Sequence, residues 1–358
     1  MNVYTPAVRR RIVLQLLLIA AVCAAPAAPC EYAGVPRVVA VGDVHGTYDG
    51  FVQVLQLAGV VDGGLRWSGG KAHLVQVGDV PDRGPDSRKV MDLLMRLEKE
   101  AAKAGGRVHA LLGNHEVMNM IRDLRYVSAG EYEAFRTRDS EVMREEVYRR
   151  SLEEARRRAK AEKTTLDEAA FRERFLKQAP LGYVEHRRAF APEGTYGRWL
   201  RRHDAVVKIN GVVFVHGGLT PEVAALGCKG INDTIRREMT ADLDRTRDSP
   251  LQSLSGREDG PLWYRGLARE DEATLAPKVD EVLRALGARA VVVGHTPRET
   301  GRIEARLGGR VVLIDVGMLP AFGGHLAALE ITPEGMTALY PDRREILERT
   351  PAAAALGR

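Results

Sequence analysis

The sequence is short of thiols, of net charge and of long apolar runs. Its 358 residues include three cysteines, Cys23, Cys30 and Cys228. No thiolate cluster exists to hold a structural zinc. The formal charge is +5, but Arg9, Arg10 and Arg11 lie in a segment expected to be removed. Without them 50 basic residues face 48 acidic ones, a balance of +2 that gives no electrostatic case for nucleic-acid binding. The one long apolar run, residues 12–25, falls short of the ~20 residues a membrane-spanning helix needs. There is no internal repeat, and the only biased tract is the Ala-rich stretch 352–355, expected to fray.

That apolar run has a purpose in context. A basic start at Arg9–Arg11, the uncharged IVLQLLLIAAVCAA and the small-residue AAPAAP follow the order of a secretory signal peptide over residues 1–30. An uncleaved N-terminal membrane anchor is the alternative. Val22 before Cys23 and Pro29 before Cys30 are not the small residue that precedes a lipid-modified cysteine. The expectation is an exported, periplasmic or secreted protein that does not engage a membrane once the leader is cleaved. Cys30 and Cys228 are then its only thiols and could pair in an oxidising compartment, although spacing alone leaves that open.

A hydrophobic share of 45% with 28% charged residues is that of a globular protein with a sizeable core. From Arg37 onward six β-branched-rich runs recur: RVVAVGD (37–43), HLVQVGD (73–79), VHALLGN (108–114), VVFVHGG (212–218), AVVVGHT (290–296) and VVLIDVG (311–317). Each reads as a short buried strand closed by glycine. Residues 48–60 and 86–105 place Val, Leu and Met at helical spacing, the second stopping at Gly105-Gly106. Strand and helix alternating argue for an α/β layered domain over about 35–345, with 346–358 as a tail. Residues 118–200 break the pattern. The Glu/Arg/Ala-rich stretch 143–175 predicts helices, with Glu153–Arg157 as a four-residue pair and Thr165 with Glu168 as a cap for a second helix. This insert either lies over the site or is a solvated charged hairpin.

Five of the six runs end in residues that bind metals or handle protons: Asp43 and His45, Asp79, Asn114 with His115 and Glu116, His216, and His295. In open α/β sheets ligands collect beyond the carboxyl ends of strands, so these distant segments can converge there. One divalent ion would take Asp43, His45 and Asp79. A second would take Asp79, Asn114, His216 and His295, with Asp79 bridging. Imidazole nitrogen mixed with carboxylate and amide oxygen suits Mn, Fe or Zn. Two such ions would hold a phosphate monoester and activate a shared water for in-line attack. Arg83, in GDVPDRG, presents a planar fork to phosphate oxygens, Arg265 is the candidate for a second, and Asn114 is a candidate phosphate contact besides its metal role. Glu116 is assigned to the first turn of the following helix through the macrodipole.

GDVHG (42–46), GDVPDRG (78–84), GNHE (113–116), HGG (216–218) and GHTP (294–297) resemble the signature series of the phosphoprotein phosphatase branch of metallophosphoesterases. MNMIRDLRYV (118–127), PLWYRG (261–266) and IDVGM (314–318) are similar to the Shewanella-like protein phosphatases. The resemblance implies a calcineurin-like α/β sandwich with the dimetal site at one edge. It also implies that His115 is the general acid and Asp82 its orienting carboxylate, that Arg125 could reach phosphate from the insert, and that the substrate is a phosphoprotein or phosphopeptide with a preference for phosphotyrosine. The SAPNY motif of eukaryotic Ser/Thr phosphatases is missing. Two other readings compete: dinucleoside polyphosphate hydrolysis, and a catalytically inactive module that keeps the metal- and phosphate-binding fold.

Overall fold

A computed structural model describes residues 29–349, so all but the last two residues of the leader expected over 1–30, and the Ala-rich 352–355, lie outside the described residues. The strands, in chain order, are β1 (Glu31–Tyr32), β2 (Val38–Val41), β3 (His73–Gln76), β4 (Arg107–Ala110), β5 (Val206–Ile209) and β6 (Val212–Val215). They continue with β7 (Ala290–Val293), β8 (Glu304–Arg306), β9 (Val311–Leu313), β10 (Ala328–Thr332), β11 (Gly335–Leu339) and β12 (Arg344–Arg349). All six β-branched runs are strands. The chain stays paired to β11 as far as Arg349, so regular structure runs past the expected domain end at 345.

The strands form two six-stranded sheets, ordered β12-β11-β10-β2-β3-β4 and β1-β5-β6-β7-β9-β8. In the first, β2, β3 and β4 are parallel; in the second, β6, β7 and β9 are. Their alternation explains why the runs are largely apolar. Val38, Ala40, Val75, Phe214, Val292 and Val312 fill the space between the sheets. Val39, Val41, Leu74, Val213, Val293 and Leu313 point outward against helices. Both faces are therefore covered, and the buried polar exceptions are hydrogen-bonded: Gln76 Nε2 donates to the Gly42 and Gly78 carbonyls at 3.2 and 2.6 Å, and His73 in β3 pairs with His109 in β4 at 3.0 Å. Of the remaining six strands, β1, β8 and β12 lie at sheet edges, while β5, β10 and β11 are internal but each has an antiparallel neighbour.

Helix Tyr48–Leu57 turns Phe51, Val54 and Leu55 inward, and helix Ser87–Lys103 does the same with Val90, Met91, Leu94, Leu97 and Ala101. The insert divides into two parts. Helices Ala129–Phe135, Tyr183–Phe190 and Thr195–Leu200 pack on the body, with the Tyr196 hydroxyl donating to Asp92 at 2.8 Å and the Trp199 indole to Glu98 at 3.0 Å. The hairpin of Ser140–Glu162 and Glu168–Gln178 is solvated: the first helix buries only Ser140, Tyr148 and Leu152, the second nothing. Its second helix is capped by Asp167, whose carboxylate accepts from Ala170 N at 3.0 Å, rather than by Thr165. Pairs at four-residue spacing are Glu146–Arg150 and Arg158–Glu162; the expected Glu153–Arg157 pair is not among the ion pairs of the described residues. Cys30, just before β1, and Cys228, in helix Gly227–Glu238, form a disulfide with Cα atoms 6.2 Å apart. No helix among the described residues is long and apolar enough to cross a membrane.

Candidate active site

Where β2, β3, β6, β7 and β9 end, the chain turns sharply instead of continuing. Of ten non-glycine residues with positive φ among the described residues, five are here: His45, Asp79, Asp82, Arg83 and His295. Such conformations cost roughly 1–3 kcal/mol each and persist only where surrounding bonds hold them. The amides of Val44 and His45 donate to the Asp79 carbonyl at 3.1 and 2.9 Å, and Gly84 N donates to the His45 carbonyl at 3.0 Å. Two glycines are required by close approach: a Cβ on Gly113 would strike the Asp79 carboxylate and amide, and one on Gly294 would strike the Asp43 carboxylate.

Glu116 fastens this arrangement from behind. Its buried carboxylate accepts from the amides of Asp79 (2.9 Å), Val80 (2.7 Å) and Gly113 (2.7 Å), tying the end of β3 to the start of helix Asn114–Ile121. This role is more specific than the dipole interaction expected of it. Burial, with the nearby Asp79 charge, lifts its carboxyl to about 7.

The histidines are fixed by what lies behind each ring. His45 Nδ1 donates to the Pro81 carbonyl (3.2 Å), His216 Nδ1 to the Val77 carbonyl (3.1 Å) and His295 Nε2 to the Trp263 carbonyl (3.2 Å). A carbonyl can only accept, so each ring turns its other nitrogen lone pair into the hollow. There His216 Nε2 stands 3.0 Å from Asn114 Oδ1, 3.0 Å from His295 Nδ1 and 3.2 Å from Asp79 Oδ2. Four acceptor atoms converge with no proton to share among the neutral forms. A cation is the species that suits them. On the other side of Asp79 Oδ2, His45 Nε2 lies at 3.7 Å and is itself 3.9 Å from Asp43 Oδ2. Asp79 is thus common to both groups.

Three carboxyl groups, Asp43, Asp79 and Asp315, crowd the hollow. Burial, then Asp315 and Asp79, hold the Asp43 carboxyl well above its usual range, and burial lifts Asp315 to about 6; the two carboxyls hydrogen-bond to each other. Burial would raise Asp79 too, but His216 and His115 outweigh it and keep its carboxylate well below the ordinary range. Buried imidazole and carboxylate in this mixture fit divalent ions.

His115 Nδ1 donates to Asp82 Oδ2 at 2.7 Å, while its Nε2 faces the hollow 3.7 Å from Asp79 Oδ2. Asp82 is fully buried; Asn119 Nδ2 donates to its other oxygen at 2.8 Å, and its own amide donates to Glu131 Oε2 at 3.1 Å. The hollow opens into a cavity of about 280 Å³. Arg83 lines it, its guanidinium 4.5 Å from the Tyr126 ring centre and 5.2 Å from that of Phe322, with Nε buried and unpartnered. Arg265 lines it as well, held by the His295 carbonyl and by Thr296 Oγ1 at 3.2 Å.

Asp43, His45, Asp79, Asn114, His115, His216, His295, Asp82, Arg83 and Arg265 are therefore brought together from across the chain. Arg125 is not: it is exposed and forks onto Asp123 at 2.8 and 2.6 Å. From the insert only the loop carrying Tyr126 lines the cavity. Asp315, Arg269, Asn119 and Glu131 were not singled out in the sequence. Asp315 had a readable signal, because it too closes a β-branched run. Asn119 lies within the MNMIRDLRYV stretch but is not set apart from its neighbours there, and Arg269 and Glu131 carry no local mark.

This arrangement of shared aspartate, flanking histidines and paired arginines is that of a metallophosphoesterase. The chain belongs to the calcineurin-like phosphoesterase family, whose profile matches residues 36–299. It is 32% identical to an uncharacterized protein of Schizosaccharomyces pombe, over 83% of this chain and 78% of that protein. It is 29% identical to Shewanella-like protein phosphatase 2 of Arabidopsis thaliana, over 79% of this chain and 71% of that one. Among solved structures, a cold-active protein-tyrosine phosphatase of a psychrophilic Shewanella species is similar with a TM-score of 0.67 and 28% identity, over 89% of this chain and 82% of that one.

Proposed function

We propose that the protein is a metal-dependent phosphoprotein phosphatase that hydrolyses phosphate monoesters, with a preference for phosphotyrosine. One observation carries the reading: the cation-seeking hollow, the His115–Asp82 pair and two cationic forks share one cavity. Relatives named as protein phosphatases support it. Tyr126, Phe322 and Trp263 line the same cavity and would flank an aryl leaving group.

Asp43, His45 and Asp79 would hold one divalent ion, and Asp79, Asn114, His216 and His295 the other. Two ions of Mn, Fe or Zn supply, when bound, positive charge for the phosphoryl oxygens and a water of lowered pKa. Arg83 and Arg265 grip the remaining phosphoryl oxygens. Arg83 is suited to this by its unpartnered Nε, which the Tyr126 and Phe322 faces keep in line. His115 holds a proton on Nε2 for the departing oxygen, and Asp82 fixes the ring and favours its charged form. Asn119 in turn fixes Asp82.

Export belongs to the same reading. The leader-like order at the N-terminus supports it, with cleavage before Cys30, as does a Cys30–Cys228 bridge, which persists in oxidising compartments. The test is the full chain supplied with Mn, Fe or Zn and assayed on phosphotyrosine peptide, phosphoserine peptide and diadenosine tetraphosphate. Fastest turnover on phosphotyrosine is expected, lost in Asp79→Asn together with bound metal. Preference for the dinucleotide, or an Asp79→Asn protein with full metal and turnover, would overturn the proposal.

A further inference from the structure

Beside the end of helix Asn114–Ile121 lies a second cavity, of about 280 Å³, that the reaction does not use. It is bounded by helix Tyr183–Phe190 and helix Leu243–Asp248, and its charged lining is Arg122, Arg187, Arg247 and Asp244. Arg247 is paired with Asp244 at 2.8 Å and with Asp248 at 3.5 Å. The Arg122 guanidinium has no hydrogen bond or ion pair among those of the described residues, although its backbone is held in the left-handed region at φ 73°. Arg187 is half-buried and donates Nη1 only to the Asn119 carbonyl, at 2.9 Å. Behind the cavity, Arg201 is buried with Nη2 unpartnered.

Three guanidinium groups line this space against one carboxylate, Asp244, which Arg247 already engages, so Arg122 and Arg187 have no anionic partner there. The crowding acts on Arg187: burial first, then the Arg122 charge, bring its pKa down to about 10, and Arg201 contributes in the same direction. Planar forks of this kind match tetrahedral oxyanions. We propose that the pocket between Arg122, Arg187 and Arg247 binds a phosphate group, separately from the catalytic cavity. Its place in the fold gives the site a consequence. Arg187 holds Asn119, and the Asn119 side chain holds both Asp82, at 2.8 Å, and the His115 carbonyl, at 3.0 Å. An anion on Arg187 is two hydrogen bonds from the carboxylate that orients the acid.

The phosphate group can be a free ion or a second phosphorylated residue of the substrate, and the test separates them. Crystals of the metal-loaded full chain, soaked in tungstate, are expected to show anomalous density at Arg122, Arg187 and Arg247 as well as in the catalytic cavity. Calorimetric titration with inorganic phosphate is expected to find two sites in the wild type, and about tenfold weaker binding at one of them in Arg122→Gln/Arg247→Gln. Density confined to the catalytic cavity, or a double variant that titrates like the wild type, overturns the assignment. If KM rises in the double variant for a doubly phosphorylated peptide but not for a singly phosphorylated one, the ligand is the substrate's second phosphate. If neither KM changes while the phosphate site is lost, the ligand is the free ion. Tungstate and phosphate binding need no turnover, so these results stand or fall apart from the phosphatase reading.

Discussion

Asp82 and His115, thirty-three residues apart, are joined by a 2.7 Å hydrogen bond beneath the cavity floor, and Asp82 is wholly shielded from solvent. Burial alone would lower the His115 pKa, but Asp79 and then Asp82 outweigh it and hold the ring above its usual value. An acid works while protonated, so turnover is present below this pKa and lost as pH rises through it. Asp82→Asn keeps the shape and removes one support, so the alkaline limb of the kcat profile moves to lower pH. On alkyl phosphates kcat falls roughly 10²–10⁴-fold, and less on para-nitrophenyl phosphate, whose leaving group needs no proton. An unmoved limb would disconnect Asp82 from the acid.

Glu116 is predicted to matter for metal without touching it. Glu116→Ala leaves three buried amides unpaired and destabilises the metal-free protein by roughly 2–4 kcal/mol. Metal content after dialysis should fall with it, whereas Glu116→Gln, which keeps one acceptor, falls between. Thermal denaturation and elemental analysis of the three proteins provide the check.

His186 is buried among Tyr132, Phe135 and Phe190, and burial presses its pKa to about 3. In the unfolded chain it titrates near ~6.5. The unfolded state therefore takes up its proton first, and the stability His186 contributes is full above about 6.5 and declines as pH falls toward 3. Glu131, 3.4 Å away, is pushed up by burial and works in the opposite sense, but it is common to both proteins compared. Between pH 7.5 and 5, Tm should drop less in His186→Phe than in the wild type. Parallel Tm curves would refute this.

The Cys30–Cys228 bridge closes 198 residues and anchors the start of β1. Cys228→Ser, or reduction of the wild type, should lower stability by roughly 2–5 kcal/mol. Because neither cysteine lines the catalytic cavity, kcat at low temperature should not change. Denaturant titration with and without reductant measures the first, and a standard phosphatase assay the second.

Much of the site was readable because strand ends carry a double mark. A run such as VVFVHGG is apolar on both faces until the backbone leaves the sheet, and the first polar residue after it has nowhere to point but the sheet edge. Applied without exception, that rule also finds Asp315, which closes VVLIDVG as Asp79 closes HLVQVGD. Asn119 and Glu131 escaped it because their importance comes from what they touch. Asn119 looks like any polar residue in a helix, and Glu131 like any exposed acid, until Asp82 is placed against them. Arg125 shows the reverse case: a plausible charge next to a motif, which its neighbour Asp123 draws away to solvent.

By itself the sequence determined the layered strands and the kinds of atom at their ends, since both follow from local rules of burial and turning. Tertiary structure decided the rest: which ring nitrogen each histidine turns inward, that Asp79 lies between two donor groups, and that the charged hairpin stays away from the cavity. These depend on contacts between segments far apart in the chain, such as His216 with Val77 and His295 with Trp263. Local pattern carries no record of such distances.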